Sequence, residues 1–313
     1  MSAPSDKFVL AFDVGGSHVS AAVCHEETYQ VGTIVSGELP LDQRSEAFID
    51  LIYELGIEAS AGVGVAYGAQ LAMPGPFDFT AGVSQMRHKL PYLYGIELRT
   101  PLARKFGWEK HQIGFLHDSS AFLLGEVFAG AARGVSRAVG ITLGTGVGSA
   151  FSVDGELVTG GRGIPPDGEI WNLPFEGGIV EDRISTRAIQ QNYLERAGVL
   201  RNVHEIALGI NTDPIAITVL EEFGRQLGLV LRTALAEFSP NTVVLGGGIA
   251  RSPQSFLAAT ENQTRGLGFD LRISELGDRS ALVGAAVAWF NGCSGQHGQS
   301  THSFSRTSRT DAI

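Results

Sequence analysis

The sequence predicts an α/β protein with two similar hairpins, one in each half of the chain, that face each other. Apolar, β-branched runs alternate with stretches of helical periodicity, which is typical of sheets covered by helices. A strand that enters a glycine turn and leaves it as a second strand occurs twice, at 8–23 and at 139–153. This repetition favours a shared role for the two turns.

The first hairpin carries a carboxylate and a hydroxyl. Its first strand contains Asp13 near its end, and Gly15, Gly16 and Ser17 follow in the turn. Glycine has no Cβ and reaches positive φ easily, so backbone N–H groups of such a turn can approach an anion closely. Mg²⁺ prefers one or two carboxylates together with phosphate oxygens, which makes Asp13 a candidate metal ligand.

The second hairpin has glycines and a hydroxyl but no carboxylate. Its turn contains Gly144, Thr145 and Gly146. Either hairpin alone is equally consistent with an ordinary glycine turn, since short glycine motifs often occur by chance. Together, the two turns favour a polyphosphate held between them, with its metal ion on Asp13.

The remaining periodicities predict further elements in chain order. A strand around 30–35 precedes a helix from Arg44 to Leu55 that stops at Gly56, and a buried strand over 62–67 leads into a loop over 71–78. Helices are predicted at 101–106, 119–132, 181–196, 214–238 and 280–290, with strands at 113–116 and 242–245. From residue 292 onward, the polar composition predicts a disordered tail.

Asp118 lies where the strand at 113–116 meets the helix at 119–132. One interpretation is a helix N-cap, a position that aspartate favours. The other is a general base, because ligands of α/β sheets bind beyond the carboxyl ends of the strands. The residues around Asp118 leave both interpretations open.

Two further segments are candidates for ligand contacts. A loop at 159–172 is rich in glycine and proline and carries a carboxylate and an amide, groups that hold small polar ligands. Three consecutive glycines after the strand at 242–245 suit close packing on a flat ring such as adenine, and equally a tight strand–helix turn. These residues are Glu169 and Asn172 in the loop, and Gly246, Gly247 and Gly248 after the strand.

Composition narrows the class of protein. The chain has 313 residues, of which 43% are hydrophobic, enough for sizeable cores. The formal net charge of −10 argues against nucleic acid or an anionic membrane as the main partner. Cys24 and Cys293 form no CxxC pair, and we find neither a signal peptide nor an apolar run of membrane-spanning length. We therefore expect a cytoplasmic protein.

In this order and spacing, the motifs resemble those of the ROK family of sugar kinases and repressors, within the actin-like ATPase superfamily. The resemblance covers about residues 8–290. It rests on Asp13-Val-Gly-Gly-Ser17, Met73-Pro-Gly-Pro-Phe-Asp78, Asp118 with Gly125-Glu126, Leu143-Gly-Thr-Gly-Val-Gly148, Gly168-Glu169 and Leu245-Gly-Gly-Gly248.

The resemblance implies two actin-like ATPase domains of the ribonuclease H-like α/β class around a central cleft. A small domain would comprise 1–117 and the returning helix at 280–291, and a large domain 118–279, followed by the tail at 292–313. It also implies transfer of the γ-phosphoryl group of ATP to a hexose hydroxyl in the presence of Mg²⁺.

The same resemblance assigns roles residue by residue. Asp118 matches the catalytic base and Asp13 the position near Mg²⁺. Nucleotide contacts would come from the two glycine turns, Gly15, Gly16, Ser17, Gly144, Thr145 and Gly146, and from Gly246, Gly247 and Gly248. Sugar contacts would come from Gly75, His117, Asp118, Glu169, Asn172 and Glu181.

Three departures from the family pattern concern the sugar side. Many members have Asn before the catalytic Asp, where this chain has His117. Many have a His after the Gly-Glu that contacts sugar and zinc, and the nearest match here is Asn172. The residues at 175–179 replace the family's Cys-rich zinc loop, so we expect no structural zinc. These departures leave the identity of the hexose open.

Three functions other than an ATP-dependent hexose kinase are conceivable for this sequence. A sugar-sensing repressor needs a helix-turn-helix, and only 12 residues precede Asp13, which disfavours it. A non-catalytic binding protein is permitted by His117 and Asn172, but the retained Asp13 and Asp118 argue against it. A polyphosphate-dependent kinase also fits, although the glycines at 246–248 favour a nucleotide. Sugar and ATP are the expected partners, and a homodimer, common in the family, stays open.

Overall fold

The computed structural model describes residues 7–26, 28–40, 44–64 and 66–292. Within these residues the strands are β1 (Phe8–Val14), β2 (His18–His25), β3 (Val35–Glu38), β4 (Ala69–Met73), β5 (Phe77–Asp78), β6 (Val83–Ser84), β7 (Ile113–His117), β8 (Arg137–Leu143), β9 (Val147–Val153), β10 (Glu156–Val158), β11 (Pro174–Phe175), β12 (Gly178–Ile179), β13 (Thr242–Gly246) and β14 (Asp270–Ile273). The tail predicted to be disordered lies, apart from Gly292, outside the described residues.

The helices of the described residues pack on these strands. They are α1 (Ser45–Ala59), α2 (Arg99–Phe106), α3 (Asp118–Ala129), α4 (Glu181–Ile184), α5 (Thr186–Ala197), α6 (Val203–Leu208), α7 (Pro214–Ala234), α8 (Leu257–Thr264) and α9 (Ser280–Phe290). Among them, none is long and apolar enough to cross a membrane.

Two five-stranded sheets form the framework, in the orders β3-β2-β1-β4-β7 and β10-β9-β8-β13-β14. In the first, β2 is antiparallel to β1 and β3, whereas β1, β4 and β7 run parallel. In the second, β9 is antiparallel to β8 and β10, whereas β8, β13 and β14 run parallel. Each sheet therefore starts from one glycine hairpin and continues with parallel strands, as the repeated pattern predicts.

The parallel strands of the first sheet end at one edge. Asp13 of β1 pairs with Ala72 of β4, and Met73 pairs with His117 of β7. The residues that follow these strands, Gly75 after β4 and Asp118 after β7, consequently lie along the same edge as Asp13. This is the edge at which α/β sheets bind ligands.

Each sheet has its own apolar core. Leu10 and Phe12 of β1 pack with Phe48 and Ile52 of α1 in the first. In the second, alternate residues of β8 and β9 pack against α7, whose apolar stripe is buried at Leu220, Phe223, Leu227 and Leu231. The stripe repeats every three or four residues, which is the period that places side chains on one helix face.

The last helix, α9, packs against β1 and β4 of the first sheet and crosses α3 closely. A Cβ added to Gly284 would lie 1.8 Å from the Ala121 carbonyl oxygen, and one added to Gly125 would lie 2.0 Å from that of Ser280. Only glycine at both positions permits this approach. The residues of α9 from Ser280 to Ala288 are all buried, so the chain returns to the first sheet through an enclosed helix.

A buried carboxylate fixes the two ends of this crossing. Glu126 of α3 is fully buried and accepts hydrogen bonds from Ala131 N–H at 2.8 Å, Ser280 Oγ at 2.6 Å, Ser274 Oγ at 2.5 Å and Leu276 N–H at 3.2 Å. Because a buried carboxylate without donors would be costly, these four groups must stay in place together.

Several predicted boundaries are wrong, each for a local reason. Helix α1 passes through Gly56, where a Cβ would lie 2.9 Å from the Phe106 ring, so this glycine permits packing and does not end the helix. The strand predicted at 62–67 lies instead at Ala69–Met73, because Gly62 and Gly64 adopt φ of 78° and 124° and interrupt the extended chain.

Two further boundaries shift. The strand predicted around 30–35 is observed as Val35–Glu38, where its residues pair with β2. The helix predicted at 181–196 is split at Ser185, whose Oγ accepts a hydrogen bond from Ala188 N–H and begins α5 as an N-cap. The helix at 280–290 and the two glycine hairpins are confirmed.

Candidate active site

Asp118 is the first residue of α3, immediately after β7. His117 occupies the N-cap position, so the N-cap interpretation of Asp118 is wrong. The Asp118 carboxylate accepts a hydrogen bond from Ser119 N–H at 2.7 Å, and its side chain is 32% exposed. A carboxylate in the first turn of a helix is favoured by the helix dipole, and here it remains accessible to a ligand.

His117 joins the two halves of the chain at this point. Its Nε2 lies 3.2 Å from Glu169 Oε1 and 3.5 Å from Asp118 Oδ1, and its Nδ1 lies 2.5 Å from Ser119 Oγ. A Cβ added to Gly75 would lie 3.1 Å from the same Nε2. Four of the sequence-predicted sugar residues, Gly75, His117, Asp118 and Glu169, are therefore gathered in one place.

Two buried serines position this group, and sequence reasoning missed both. Ser119 Oγ donates a hydrogen bond to the Ser149 carbonyl of β9 at 2.8 Å. Ser149 Oγ in turn donates to the Gly168 carbonyl at 2.6 Å and accepts from Ile170 N–H at 2.9 Å. The backbone on both sides of Glu169 is thus held by β9. The sequence signal that could have indicated them is a serine inside a largely apolar helix, α3, and inside a largely apolar strand, β9.

Asp13 lies at the end of β1 and is partly buried. Burial, followed by the charges of Asp118 and Asp278, raises the pKa of Asp13 to about 7. The neighbouring negative charges disfavour ionisation of Asp13, and a cation bound beside it would favour the ionised form. Asp278, which precedes α9 and forms an ion pair with Arg251, is one of these neighbours, and sequence reasoning missed it.

The two glycine turns are closed by their own backbones. In the first, Gly15 N–H donates to the His18 carbonyl at 2.9 Å, and Gly16 and Ser17 are exposed. In the second, Gly144 N–H donates to the Gly146 carbonyl at 3.0 Å, and Thr145 is exposed. Both turns therefore present their central residues to a ligand.

Glu181 supports the second turn. Its Oε2 accepts a hydrogen bond from Val147 N–H at 3.0 Å, and a Cβ added to Gly146 would lie 2.5 Å from the same oxygen. Glu181 therefore lies at the second glycine turn, apart from the contacts of the group around His117. Asn172 is exposed and likewise lies outside that group of contacts.

A cavity of about 310 Å³ lies beyond the second turn. Thr186 links the two, because its N–H donates to the Gly144 carbonyl at 2.8 Å while the residue lines the cavity. Further lining residues are Gly248, Ile249, Ser252, His204 and Leu220. The mixture of apolar walls and a few polar groups is typical of a site for a small organic ligand.

The three consecutive glycines have different roles. A Cβ on Gly246 would lie 2.3 Å from the Phe122 ring, and one on Gly247, which has a φ of 84°, would lie 2.4 Å from the Leu143 carbonyl oxygen. Gly246, the last residue of β13, therefore permits close packing on Phe122 of α3, and Gly247 forms the tight turn after the strand. Gly248 alone lines the cavity, where a Cβ would meet no neighbour within 4 Å. The tight-turn interpretation holds for Gly247, and packing of Gly248 on a flat ring such as adenine stays a prediction.

The ROK family profile matches residues 9–291 of this chain. The chain belongs to the ROK family. A glucokinase from Thermotoga maritima is 26% identical over 270 residues, which are 78% of this chain and 83% of that protein. The structure of a ROK hexokinase from Thermus thermophilus superposes on this chain with a TM-score of 0.76 and 25% identity. The match covers 90% of this chain and 97% of the hexokinase chain.

A ROK family glucokinase from Streptomyces griseus, solved with glucose and AMPPNP, has the same fold as this ROK chain. Its TM-score is 0.73 at 20% identity, and the match covers 90% of this chain and 98% of that one. The predicted α/β fold with two actin-like domains around a cleft is thereby confirmed. The domain boundaries at 117/118 and 279/280 stay a prediction.

In this ROK chain, Glu169 is the most strongly perturbed acid of the group around His117. Burial raises the pKa of Glu169, the charges of Asp118 and Asp167 raise it further, and His117 and Lys89 oppose the shift. Its side chain is 19% exposed. Perturbed acids in a cleft are common at functional sites, which supports the assignment of this edge as the candidate active site.

The grouping of acidic, His and Cys side chains limits the metal sites that this ROK chain can form. Within the described parts of the chain, no three or more His, Cys, Asp or Glu side chains are grouped so that they could hold a metal ion. A site of one carboxylate completed by phosphate oxygens needs no such group, and Asp13 beside the exposed first turn fits it.

Proposed function

We propose that this protein is a sugar kinase that transfers the γ-phosphoryl group of ATP to a hexose hydroxyl, with Asp118 as the general base. The observation that supports it best is one continuous set of contacts across the cleft. Next to Asp118, His117 is hydrogen-bonded to Ser119, which is hydrogen-bonded to β9. The glycine turn before β9 is hydrogen-bonded to Thr186, which lines the same cavity as Gly248. Acceptor, phosphate and nucleoside positions thus follow one another in order.

The relatives support the two substrates. The protein from Thermotoga maritima is named a glucokinase, and the structure from Streptomyces griseus holds glucose and an ATP analogue. The cavity favours a donor with an organic portion over inorganic polyphosphate, because Ile249 and Leu220 give it apolar walls.

The accessibility of Asp118 supports its assignment as the general base. Phosphoryl transfer depends mainly on positioning and on neutralising charge, and the base needs only to reach the acceptor hydroxyl. We assign Asp118 to accept that proton, since its carboxylate is accessible at the edge where β1, β4 and β7 end. Glu169, His117 and Gly75 would surround the sugar, and the exposed Asn172 would reach it only from the rim.

The glycine turns would hold the phosphates. Gly15, Gly16 and Ser17 on one side, and Gly144, Thr145 and Gly146 on the other, present backbone and hydroxyl donors, with Glu181 bracing the second turn. Mg²⁺ held by Asp13 would neutralise charge on the phosphate oxygens when bound. The raised pKa of Asp13 is consistent with this role, because an adjacent cation would favour the ionised carboxylate.

A kinetic comparison of Asp118→Asn with the unaltered protein tests the proposal. ADP release is measured over a panel of hexoses with ATP, and product formation with polyphosphate as the donor is followed separately. We expect activity on at least one hexose with ATP, and a loss of about 10²-fold or more in kcat for the variant, the range for a lost general base. Nucleotide binding, measured by calorimetry, should be retained.

Asp154→Asn is the matched control for this test. It makes the same chemical change in the exposed turn between β9 and β10, at the end of β9 remote from the glycine turn. Its kcat should equal that of the unaltered protein. Near-normal turnover of Asp118→Asn would remove the general-base assignment, and inactivity on every hexose with either donor would favour a non-catalytic member of the family.

A further inference from the structure

The hydrogen bonds around His117 determine where its protons lie. Ser119 is fully buried, and its single hydroxyl proton is donated to the Ser149 carbonyl at 2.8 Å, an oxygen that can only accept. In the hydrogen bond of 2.5 Å between Ser119 Oγ and His117 Nδ1, the donor must then be the ring N–H. His117 therefore carries a proton on Nδ1.

The other ring nitrogen also requires a proton. Nε2 of His117 faces Glu169 Oε1 at 3.2 Å and Asp118 Oδ1 at 3.5 Å. A bare Nε2 would place its lone pair against two carboxylate oxygens, and all three groups are acceptors when unprotonated. A proton between Nε2 and Glu169 removes this conflict, either as imidazolium with carboxylate or as neutral ring with carboxylic acid.

We propose that His117 and Glu169 share one proton in the resting protein, and that this proton holds Glu169 in position to bind the sugar. The sugar-binding part of this inference rests on the proposed function, whereas the shared proton does not. Glu169 would keep Oε1 on the ring and offer Oε2 to a sugar hydroxyl. The pair has no net charge in this state, which leaves Asp118 as the negative group beside it.

The surroundings favour retention of the proton. Burial and the charges of Asp118 and Asp167 raise the pKa of Glu169, while Lys89 acts in the opposite sense. The other groups that face the ring are uncharged: Ser119, Gly75 and the edge-on ring of Phe79 at 5.8 Å. Since the two partners are coupled, the proton belongs to the pair and is lost in one shared step as the pH rises.

Loss of the proton disrupts the site in a defined way. If the remaining proton stays on Nδ1 and is donated to Ser119 Oγ, the bare Nε2 repels Glu169 Oε1. With the proton moved to Nε2, Ser119 must give up its bond to Ser149. Either change displaces Glu169 or the backbone that holds it. The affinity for sugar should therefore be present below the midpoint of the pair and fall above it, whereas nucleotide binding at Gly248 should be insensitive.

Nuclear magnetic resonance of the histidine rings tests the shared proton without any substrate. In ¹⁵N-labelled protein, the His117 signals, assigned by their loss in His117→Asn, should show a protonated Nδ1 at neutral pH. Glu169→Gln can donate an amide proton to Nε2, so the ring no longer needs the extra proton. The titration midpoint of the His117 ring in Glu169→Gln should therefore be lower by about one pH unit or more, which is at least a tenfold change in proton affinity. His25 of β2, which pairs with Phe8 at the opposite end of β1 from Asp13, is the internal control.

Kinetics test the link to sugar binding. In the unaltered protein, KM for the hexose should rise about tenfold or more per pH unit once the pair loses its proton. His117→Asn keeps an amide donor for Glu169 but cannot titrate, so its KM for the hexose should be independent of pH.

The outcomes separate the two parts of the inference. A bare Nδ1 at neutral pH, or a midpoint unchanged in Glu169→Gln, overturns the shared proton. A confirmed shared proton with a KM that does not change with pH, or that changes equally in His117→Asn, overturns its role in sugar binding. If no hexose is phosphorylated, the proposed kinase fails, and the resonance measurements still decide the proton.

Discussion

Replacing Asp13 by Asn should make the protein without ligands more stable and at the same time less active. Burial and the charges of Asp118 and Asp278 raise the pKa of Asp13 from 3.8 to about 7. In the unfolded chain the same carboxyl ionises near 3.8, so the folded state binds more protons between these two values. Stability is therefore lost as the pH rises through that window, and Asn removes the group responsible.

The magnitude follows from the shift. A difference of about three pKa units corresponds to about 4 kcal/mol at pH 8, since each unit is about 1.4 kcal/mol. Asp13 is only partly buried, so solvent screening reduces this figure, and we expect about 2 kcal/mol in favour of Asp13→Asn. The gain should shrink as the pH falls toward 4, where Asp13 is protonated in the folded protein.

Urea unfolding at pH 5 and pH 8, without nucleotide or Mg²⁺, measures this difference. Asp154→Asn, which alters an exposed carboxylate, controls for the general effect of removing one negative charge from a chain of net charge −10. ADP release by Asp13→Asn should be strongly reduced at saturating Mg²⁺. If Asp13→Asn is no more stable than the unaltered protein at pH 8, burial and the charges of Asp118 and Asp278 do not disfavour the ionised form of Asp13 in the folded protein.

Three further substitutions test the elements that support the site. Glu126→Gln leaves N–H donors facing an amide NH₂ group inside the protein, and we expect a loss of about 3 kcal/mol in urea unfolding; an unchanged midpoint would contradict the buried network. Gly284→Ala places a Cβ 1.8 Å from the Ala121 carbonyl oxygen, so we expect a loss of about 3 kcal/mol or more, whereas Gly160→Ala, where an added Cβ meets no neighbour within 4 Å, is the comparison. Gly146→Ala should displace Glu181, whose Oε2 lies 2.5 Å from the added Cβ, and raise KM for ATP about tenfold with the hexose KM unchanged, on the loss of one charge-assisted hydrogen bond; equal effects on both constants would oppose a role confined to the phosphate turn.

The two glycine hairpins were predictable because local sequence determines them. A β-branched run, a glycine-rich turn and a second run need no distant partner to be recognised. The edge that carries Asp13, Gly75 and Asp118 was also within reach, since parallel strands bring their carboxyl ends together. Both ends of helix α9 were predicted correctly, because its apolar stretch is bounded by the polar residues Arg279 and Asn291.

What the sequence did not predict depends on contacts between distant residues. Gly56 looks like a helix stop and is in fact a packing position, a difference decided by Phe106, fifty residues further on. Ser119 and Ser149 are small polar residues in apolar elements, and only their hydrogen bond shows that β9 positions the segment around Glu169. Asp278 joins Asp13 because α9 returns to the first sheet, which no local pattern reveals.

Helix α3 is the element on which both sides of the candidate site depend. It begins with Asp118 at the edge of the first sheet, yet its body packs against β8 and β9 of the second. The distance between Asp118 and the glycine turn at 144–146 is consequently set by one rigid helix. The crossing of α3 with α9, which requires Gly125 and Gly284, then holds that helix against the strand that carries Asp13. Substitutions at these glycines, remote from any ligand, should therefore alter the alignment of base and phosphate as much as substitutions in the turns themselves.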